Sequence, residues 1–297
     1  MKIGRAISNG KIVTIIFSGD KMYDASLIFD ISEEHLERDF FKVFSENEPD
    51  QFSFKEEYRV GKIDSYLSPL RYPGQMRDFY AFEDHVKNSR RRRGLDMEPE
   101  WYNIPAYYYT SNSNLIPHGS NIEYPSFTNE LDFEMEIGII IGKSGKDIKE
   151  SEALDHIFGM VIMNDWTARD LQRKEIKIGL GPSKSKDFAM GIGKLIVTMT
   201  ELKGTLKNGK FDIPMEVYMN GSLFGESNLK KIYWPIEKLI SYASTSSVIK
   251  EGDILMTGTL PGGCIAEIPQ EHPKWVQKND EITIESQLLG SLRNRVV

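Results

Sequence analysis

A chain of 297 residues, 40% hydrophobic and 27% charged, has material for a large buried core and the balance of an ordinary globular protein. Its net charge of −7 offers no field to hold a polyanion, which argues against nucleic acid as a partner. The one cysteine, Cys264, suits a reducing compartment, and neither a secretory leader nor a bilayer-length apolar run is visible, so a cytoplasmic protein with no membrane partner is expected.

Residues 1–66 read as a small opening module. Ile12 to Phe17 is strand-like between the turn residues Asn9-Gly10 and Ser18-Gly19-Asp20. Ser32 can cap a helix with Glu33 and Glu34 in its first turn; Leu36, Phe40, Val43 and Phe44 recur at helical spacing, and Pro49 ends the segment. Nothing here carries chemistry, so support or an interface is the expected task. Ser68-Pro69-Leu70 and Tyr72-Pro73-Gly74 mark a linker into a second unit, residues 67–297.

Met76 to Arg93 can be helical, with Asp78 and His85 two turns apart on roughly one side. The run Arg90-Arg91-Arg92-Arg93 is either a solvated helix end that suits the dipole or a flap whose arginine meets a substrate carboxylate. Residues 103–129, with Pro105, Pro117 and Pro125, are loop-rich and include Tyr107-Tyr108-Tyr109, a kind of cluster that more often covers a core than meets a ligand.

Asp132-Phe133-Glu134-Met135-Glu136 then runs into Ile137-Gly138-Ile139-Ile140-Ile141. Alternation predicts a strand with Asp132, Glu134 and Glu136 on one face, successive acids ~6.6 Å apart. Carboxylates this close repel. Either the face is wet and its acids solvated, or a hard divalent cation gathers them; the spacing alone fits both. Ser151 to His156 reads as a short helix and Ile157 to Met163 as a buried strand that delivers Asn164 to Gln172. A helix starting here would place Asp165, Arg169 and Gln172 on one face, at i, i+4 and i+7. A capping Asp165 with an ordinary ion pair to Arg169 is the plainer alternative, and it gives Gln172 no task.

The turn Gly179-Leu180-Gly181-Pro182 precedes Lys184 and Lys186, but the order of glycines and lysines is not that of a phosphate loop. Strands follow at Lys194 to Met199, then at Met215 to Met219 and Ser222 to Phe224 around the hairpin turn Asn220-Gly221. A helix is expected from Tyr233 to Thr245, and a strand from Asp253 to Met256 leads into Thr257-Gly258-Thr259. Many short strands with few helices predict a β-dominated α+β fold.

Five separated segments occur in one order: Arg77-Asp78-Phe79-Tyr80 with His85, Asp132 to Glu136, Asn164 to Asp170, the Gly181-Pro182 to Phe188 loop, and Thr257-Gly258-Thr259. Together they resemble the fumarylacetoacetate hydrolase family, over roughly residues 70–297. The resemblance implies a mixed β-roll catalytic domain over residues 67–297, a homodimer, and a divalent cation held by carboxylates: Mg2+, with Mn2+ or Ca2+ as substitutes. Position by position, it implies Asp78, Glu134, Glu136 and Asp165 as metal ligands with Asp132 behind them. His85 would be the general base, oriented by Glu267, and Lys186 would steady developing enolate charge. Tyr80, Tyr108, Arg169, Gln172 and Thr259 would contact substrate.

The activity so implied is hydrolysis of a carbon–carbon bond in a 2,4-dioxo acid, an acylpyruvate or a fumarylacetoacetate-like compound, by a histidine-activated water. The alternative is a lyase (decarboxylase, hydratase or dehydratase) or an isomerase acting on a 2-oxo acid. From another class comes a protein that holds a cation without turnover.

Overall fold

The isoleucine-rich runs in the middle of the chain form the centre of the molecule. Strands Met135–Ile141 and Ile157–Asp165 pair antiparallel from Met135 opposite Asn164 to Ile141 opposite Ile157, and every residue of both is buried. Their sequences are apolar on both faces because the sheet is covered on both sides. Met135, Ile137, Ile139 and Ile141 enter one core, while Ile140, Val161 and Met163 face a second core shared with Ile3, Leu36, Phe40 and Phe44 of the opening module. Each such side chain contributes roughly 1.5–3 kcal/mol by leaving water.

The computed structural model describes residues 1–47, 52–268 and 273–297. Among these, twelve strands belong to one mixed sheet that does not close into a barrel. On one side of the central pair, Ile254–Met256 joins Met135–Ile141 antiparallel and Met76–Phe79 parallel, and Met76–Phe79 pairs in turn with Tyr107–Thr110. On the other side, Leu195–Thr198 joins Ile157–Asp165 to Lys2–Ser8, which continues into Lys11–Ser18 and Lys21–Asp24. A second, five-stranded sheet holds the hairpin Pro214–Met219 and Ser222–Asn228 with Glu281–Ser286, Gly290–Val296 and Asn121–Ile122. The expected α+β, β-dominated class is the one found. No helix of the described residues is long and apolar enough to cross a membrane.

Several elements differ from their sequence reading. Met76 to Arg93 is not one helix: Met76–Phe79 is a strand with all four residues buried, and the helix is Glu83–Arg92. Tyr107–Thr110 is a strand, not loop. Asp165 closes a strand instead of opening a helix; Thr167–Ala168 bridges to Leu131–Asp132, and the helix begins at Arg169. The acidic stretch is likewise interrupted, with Phe133 and Glu134 between the strands Leu131–Asp132 and Met135–Ile141. Ser32 does cap a helix, accepting from the His35 amide at 3.2 Å, but that helix stops at Arg38 and Phe40–Glu46 restarts it beyond Asp39. Pro49 lies outside the described residues.

Candidate active site

Side chains two apart on a strand share a face, and this alone brings three acids together. Asp78 shares a face with Met76, Glu136 with Ile140 and Asp165 with Met163, so all three continue the wall of the second core to the strand ends. Each offers an oxygen within 4.8 Å of the others, and all three are buried. Asp78 Oδ1, Glu136 Oε2 and Asp165 Oδ1 have no hydrogen-bond partner among the described residues.

Burial raises all three carboxyls above the ordinary range. Asp165 reinforces the rise at Asp78, Asp78 reinforces it at Glu136, and Glu134 reinforces it at Asp165 against the pull of Lys186. Tyr108 Oη lies 2.7 Å from Asp78 Oδ2 and 2.5 Å from Asp165 Oδ2, yet a hydroxyl has one proton and can serve only one of them. Buried acids with unmatched oxygens need protons or a cation. An oxygen-only donor set suits Mg2+, Mn2+ or Ca2+, so the residues present fit a hard divalent ion. The solvated-face reading fails, since Asp132, Glu134 and Glu136 are 0–4% exposed.

Glu134 stands beside this trio, not in it. Its Oε1 accepts from Arg169 Nη2 at 2.6 Å, and its Oε2 is held by the Lys186 ammonium. Burial pushes this carboxyl up, but Arg169 and Lys186 outweigh it and hold it at about 2. Lys186 also donates to Asp165 Oδ2 at 2.5 Å, and the two carboxylates keep its ammonium charged despite burial. Arg169 Nε donates to Asp132 Oδ2 at 2.8 Å and its Nη1 to Gln172 Oε1 at 3.1 Å. Arg169 and Gln172 thus meet at i, i+3 on the helix Arg169–Ile178. Asp132 further accepts from the backbone amides of Ile265 and Ala266, pinning the turn that carries Glu267 to the acidic strand.

In that turn, Glu267 Oε1 lies 2.6 Å from His85 Nδ1, and its other oxygen accepts from the Gly262 amide and from Asn88. Burial raises the Glu267 carboxyl, but His85 and these hydrogen bonds bring it below the usual range. A carboxylate on Nδ1 fixes the tautomer and leaves Nε2 to take a proton. The Tyr80 ring meets His85 edge-on at 5.3 Å, and burial pushes its hydroxyl up to about 12. Thr259 Oγ1 donates to Glu136 Oε1 at 3.4 Å. Gly258 precedes it at φ +79°, where an added Cβ would lie 2.3 Å from the Phe79 carbonyl oxygen, so only glycine lets the segment after Met256 pass so close to Phe79.

Ten of the expected residues line one cavity of about 620 Å3: Asp78, Tyr80, His85, Tyr108, Glu134, Glu136, Arg169, Gln172, Lys186 and Thr259. Asp165 and Glu267 stand behind them, holding Lys186 and His85. Of the arginine run, Arg92 and Arg93 reach this cavity while Arg90 binds the Asp96 carbonyl. Sequence reasoning passed over Asn88, Arg173 and Trp275. Asn88 and Arg173 were findable, each one helical turn beyond an expected residue, His85 and Arg169, and so on its face; Trp275 joins the cavity wall with no local signal.

Comparison with known proteins follows the same residues. The sequence model of the fumarylacetoacetate (FAA) hydrolase C-terminal domain matches residues 75–297. Fumarylacetoacetase of Oryza sativa subsp. japonica is 29% identical over 280 residues, 76% of this chain and 65% of that protein. Oxaloacetate tautomerase of Bacillus subtilis is 31% identical over 193 residues, 65% of this chain and 61% of that one. The chain therefore spans under two-thirds of these relatives' lengths. Among solved structures, fumarylacetoacetate hydrolase from Exiguobacterium antarcticum superposes with a TM-score of 0.79 at 24% identity, covering 100% of this chain and 99% of that one. Fumarylpyruvate hydrolase from Pseudomonas aeruginosa, solved with Mn2+ and pyruvate, gives 0.63 at 23%, covering 79% and 92%.

Proposed function

The chain belongs to the fumarylacetoacetate hydrolase family, and from that premise we propose that it is a divalent-metal-dependent hydrolase cleaving a carbon–carbon bond in a 2,4-dioxo acid. The observation that carries this reading is His85, paired with Glu267 at 2.6 Å, lining the same cavity as Asp78 and Glu136 of an acid cluster with unmatched oxygens. Asp78, Glu136 and Asp165 would hold the ion, with Glu134 beside them. A bound divalent cation supplies Lewis-acid polarisation of substrate oxygens, as befits a fold whose Pseudomonas relative was solved with Mn2+ and pyruvate.

This chain's own residues supply the remainder. Glu267 keeps the proton on Nδ1, so His85 Nε2 takes one from water. The hydroxide adds to the distal carbonyl carbon, and the bond from that carbon to the central methylene breaks. The electron pair leaves with the methylene as an enolate, which takes up the proton carried by His85. Lys186 and Arg169, already fixed among carboxylates, stabilise the new charge without reorganising.

A second reading, tautomerisation of a 2-oxo acid, draws on the tautomerase relative; there His85 would move a proton between carbon and oxygen with no water added. The test is a panel of 2,4-dioxo acids and oxaloacetate with Mg2+ or Mn2+ in 18O-labelled water, following the enol absorbance. Hydrolysis puts one label in a newly formed carboxylate. Enol loss with an unchanged product mass supports tautomerisation instead, and no consumption of any compound overturns both.

A further inference from the structure

Behind the cavity wall lies a thiol that the proposed reaction does not use. Cys264 is fully buried, and its Sγ is 3.7 Å from Glu267 Oε1, the oxygen that also meets His85 Nδ1 at 2.6 Å. His85, Cys264 and Glu267 each offer a ligand atom within 4.8 Å of the others. This set differs in kind from the acid cluster. Sulfur and imidazole nitrogen select Zn2+ and similar ions, whereas carboxylate oxygens alone select Mg2+, Mn2+ or Ca2+.

We propose that His85, Cys264 and Glu267 form a second cation site, for Zn2+ or another thiophilic divalent ion, whose occupancy switches off the His85–Glu267 pair. Zn–S bonds of about 2.3 Å and Zn–N or Zn–O bonds of about 2.0–2.1 Å place tetrahedral ligands about 3.4–3.6 Å apart. The thiol and carboxylate already have nearly that spacing. The imidazole and carboxylate are too close, so the ion enters only by replacing their hydrogen bond. That replacement is what makes the site inhibitory. With Nδ1 bound to the ion, the ring proton moves to Nε2, which then has no lone pair for a water proton. The thiol proton leaves to solvent as the sulfur coordinates. His85 and Ala266 line the cavity, which gives the ion its approach and leaves the fourth position to water.

The binding arm of the test stands apart from the proposed reaction; the inhibition arm rests on it. Protein in excess Mg2+ is titrated with Cd2+ or Co2+ while the thiolate-to-metal charge-transfer absorption is read. Cys264 is the chain's one cysteine, so any such band reports on it. The expected result is a band saturating at one equivalent, displaced by Zn2+, absent in Cys264→Ser and weakened at least ~10-fold in apparent affinity in His85→Gln. Should Cys264→Ser fail to fold, the wild-type titration and His85→Gln still decide. In the second arm, Zn2+ slows dioxo-acid turnover, excess Mg2+ does not restore it, and Cys264→Ser withstands at least ~10-fold more Zn2+.

Absence of a band in the wild type overturns the site. So does a band of unchanged affinity in His85→Gln, or inhibition that Mg2+ relieves in proportion. If no oxo acid is turned over at all, the proposed reaction falls while the titration still reads the site.

Discussion

Glu136 joins the acid cluster through strand parity, and its Oε2 has no hydrogen bond among the described residues. Glu136→Gln keeps the shape and removes the charge, so the variant should lose cation binding while staying folded. Mg2+ or Mn2+ at 100 times its dissociation constant should stabilise the wild type by about 2.7 kcal/mol and the variant by almost nothing. Melting with and without metal checks this, and equal shifts would remove Glu136 from the site. His85→Ala should do the reverse. Its turnover should fall about 10²–10⁴-fold while the metal-induced rise in melting temperature persists, because no cluster acid touches His85. Unchanged turnover would deny His85 the part of base.

At the scale of elements, the short strand Met76–Phe79 carries the heaviest duty, since it sets both Asp78 and the helix that bears His85. It is held by a buried ion pair, Arg77 Nη1 to Asp253 Oδ2 at 3.0 Å, with Asp253 also accepting from the Gln75 amide. Removing one partner of such a pair strands a buried charge and costs about 3–5 kcal/mol. Asp253→Ala should therefore unfold at markedly lower urea and bind Mn2+ more weakly, although Asp253 lies outside the cluster. Normal Mn2+ affinity would show that the strand holds Asp78 without this pair.

The same strand shows where the sequence stops being legible. The isoleucine-rich strand, the Asn220-Gly221 hairpin and the Ser32 cap could be read locally, because each has a period or a turn residue. Four residues buried on both faces have no period, and the neighbours that make Met76–Phe79 and Tyr107–Thr110 strands come from far along the chain. Motif order named the three acids of the cluster, Asp78, Glu136 and Asp165. It could not show that Lys186 and Arg169 occupy both oxygens of Glu134, because that depends on how the loop after Pro182 folds back.

Across the whole molecule, His118 marks a meeting place. It lies between Leu115–Pro117 of the large sheet and Asn121–Ile122 of the small one, edge-on to Tyr66 at 5.3 Å. Burial, reinforced by Lys194 and Arg293, holds its imidazole down at about 4, against about 6.5 in an unfolded chain. Between those values the unfolded chain binds a proton that the folded one refuses, so stability falls as pH drops from about 6.5 to 4. His118→Gln should lose that part of the acid sensitivity. Urea midpoints of both proteins across this window check it, and a constant difference between them would be the contrary result.

Asp78, Glu136 and Asp165 arrive on three strands of one sheet, and Met76–Phe79 reaches the other two only through Ile254–Met256, so the acids meet only after distant stretches of chain have found each other. An ion held by these acids would therefore find no early folding fragment to recruit it and would arrive late, locking a finished scaffold. Stopped-flow experiments should find refolding equally fast with or without Mg2+, and the whole gain in persistence should appear as slower unfolding.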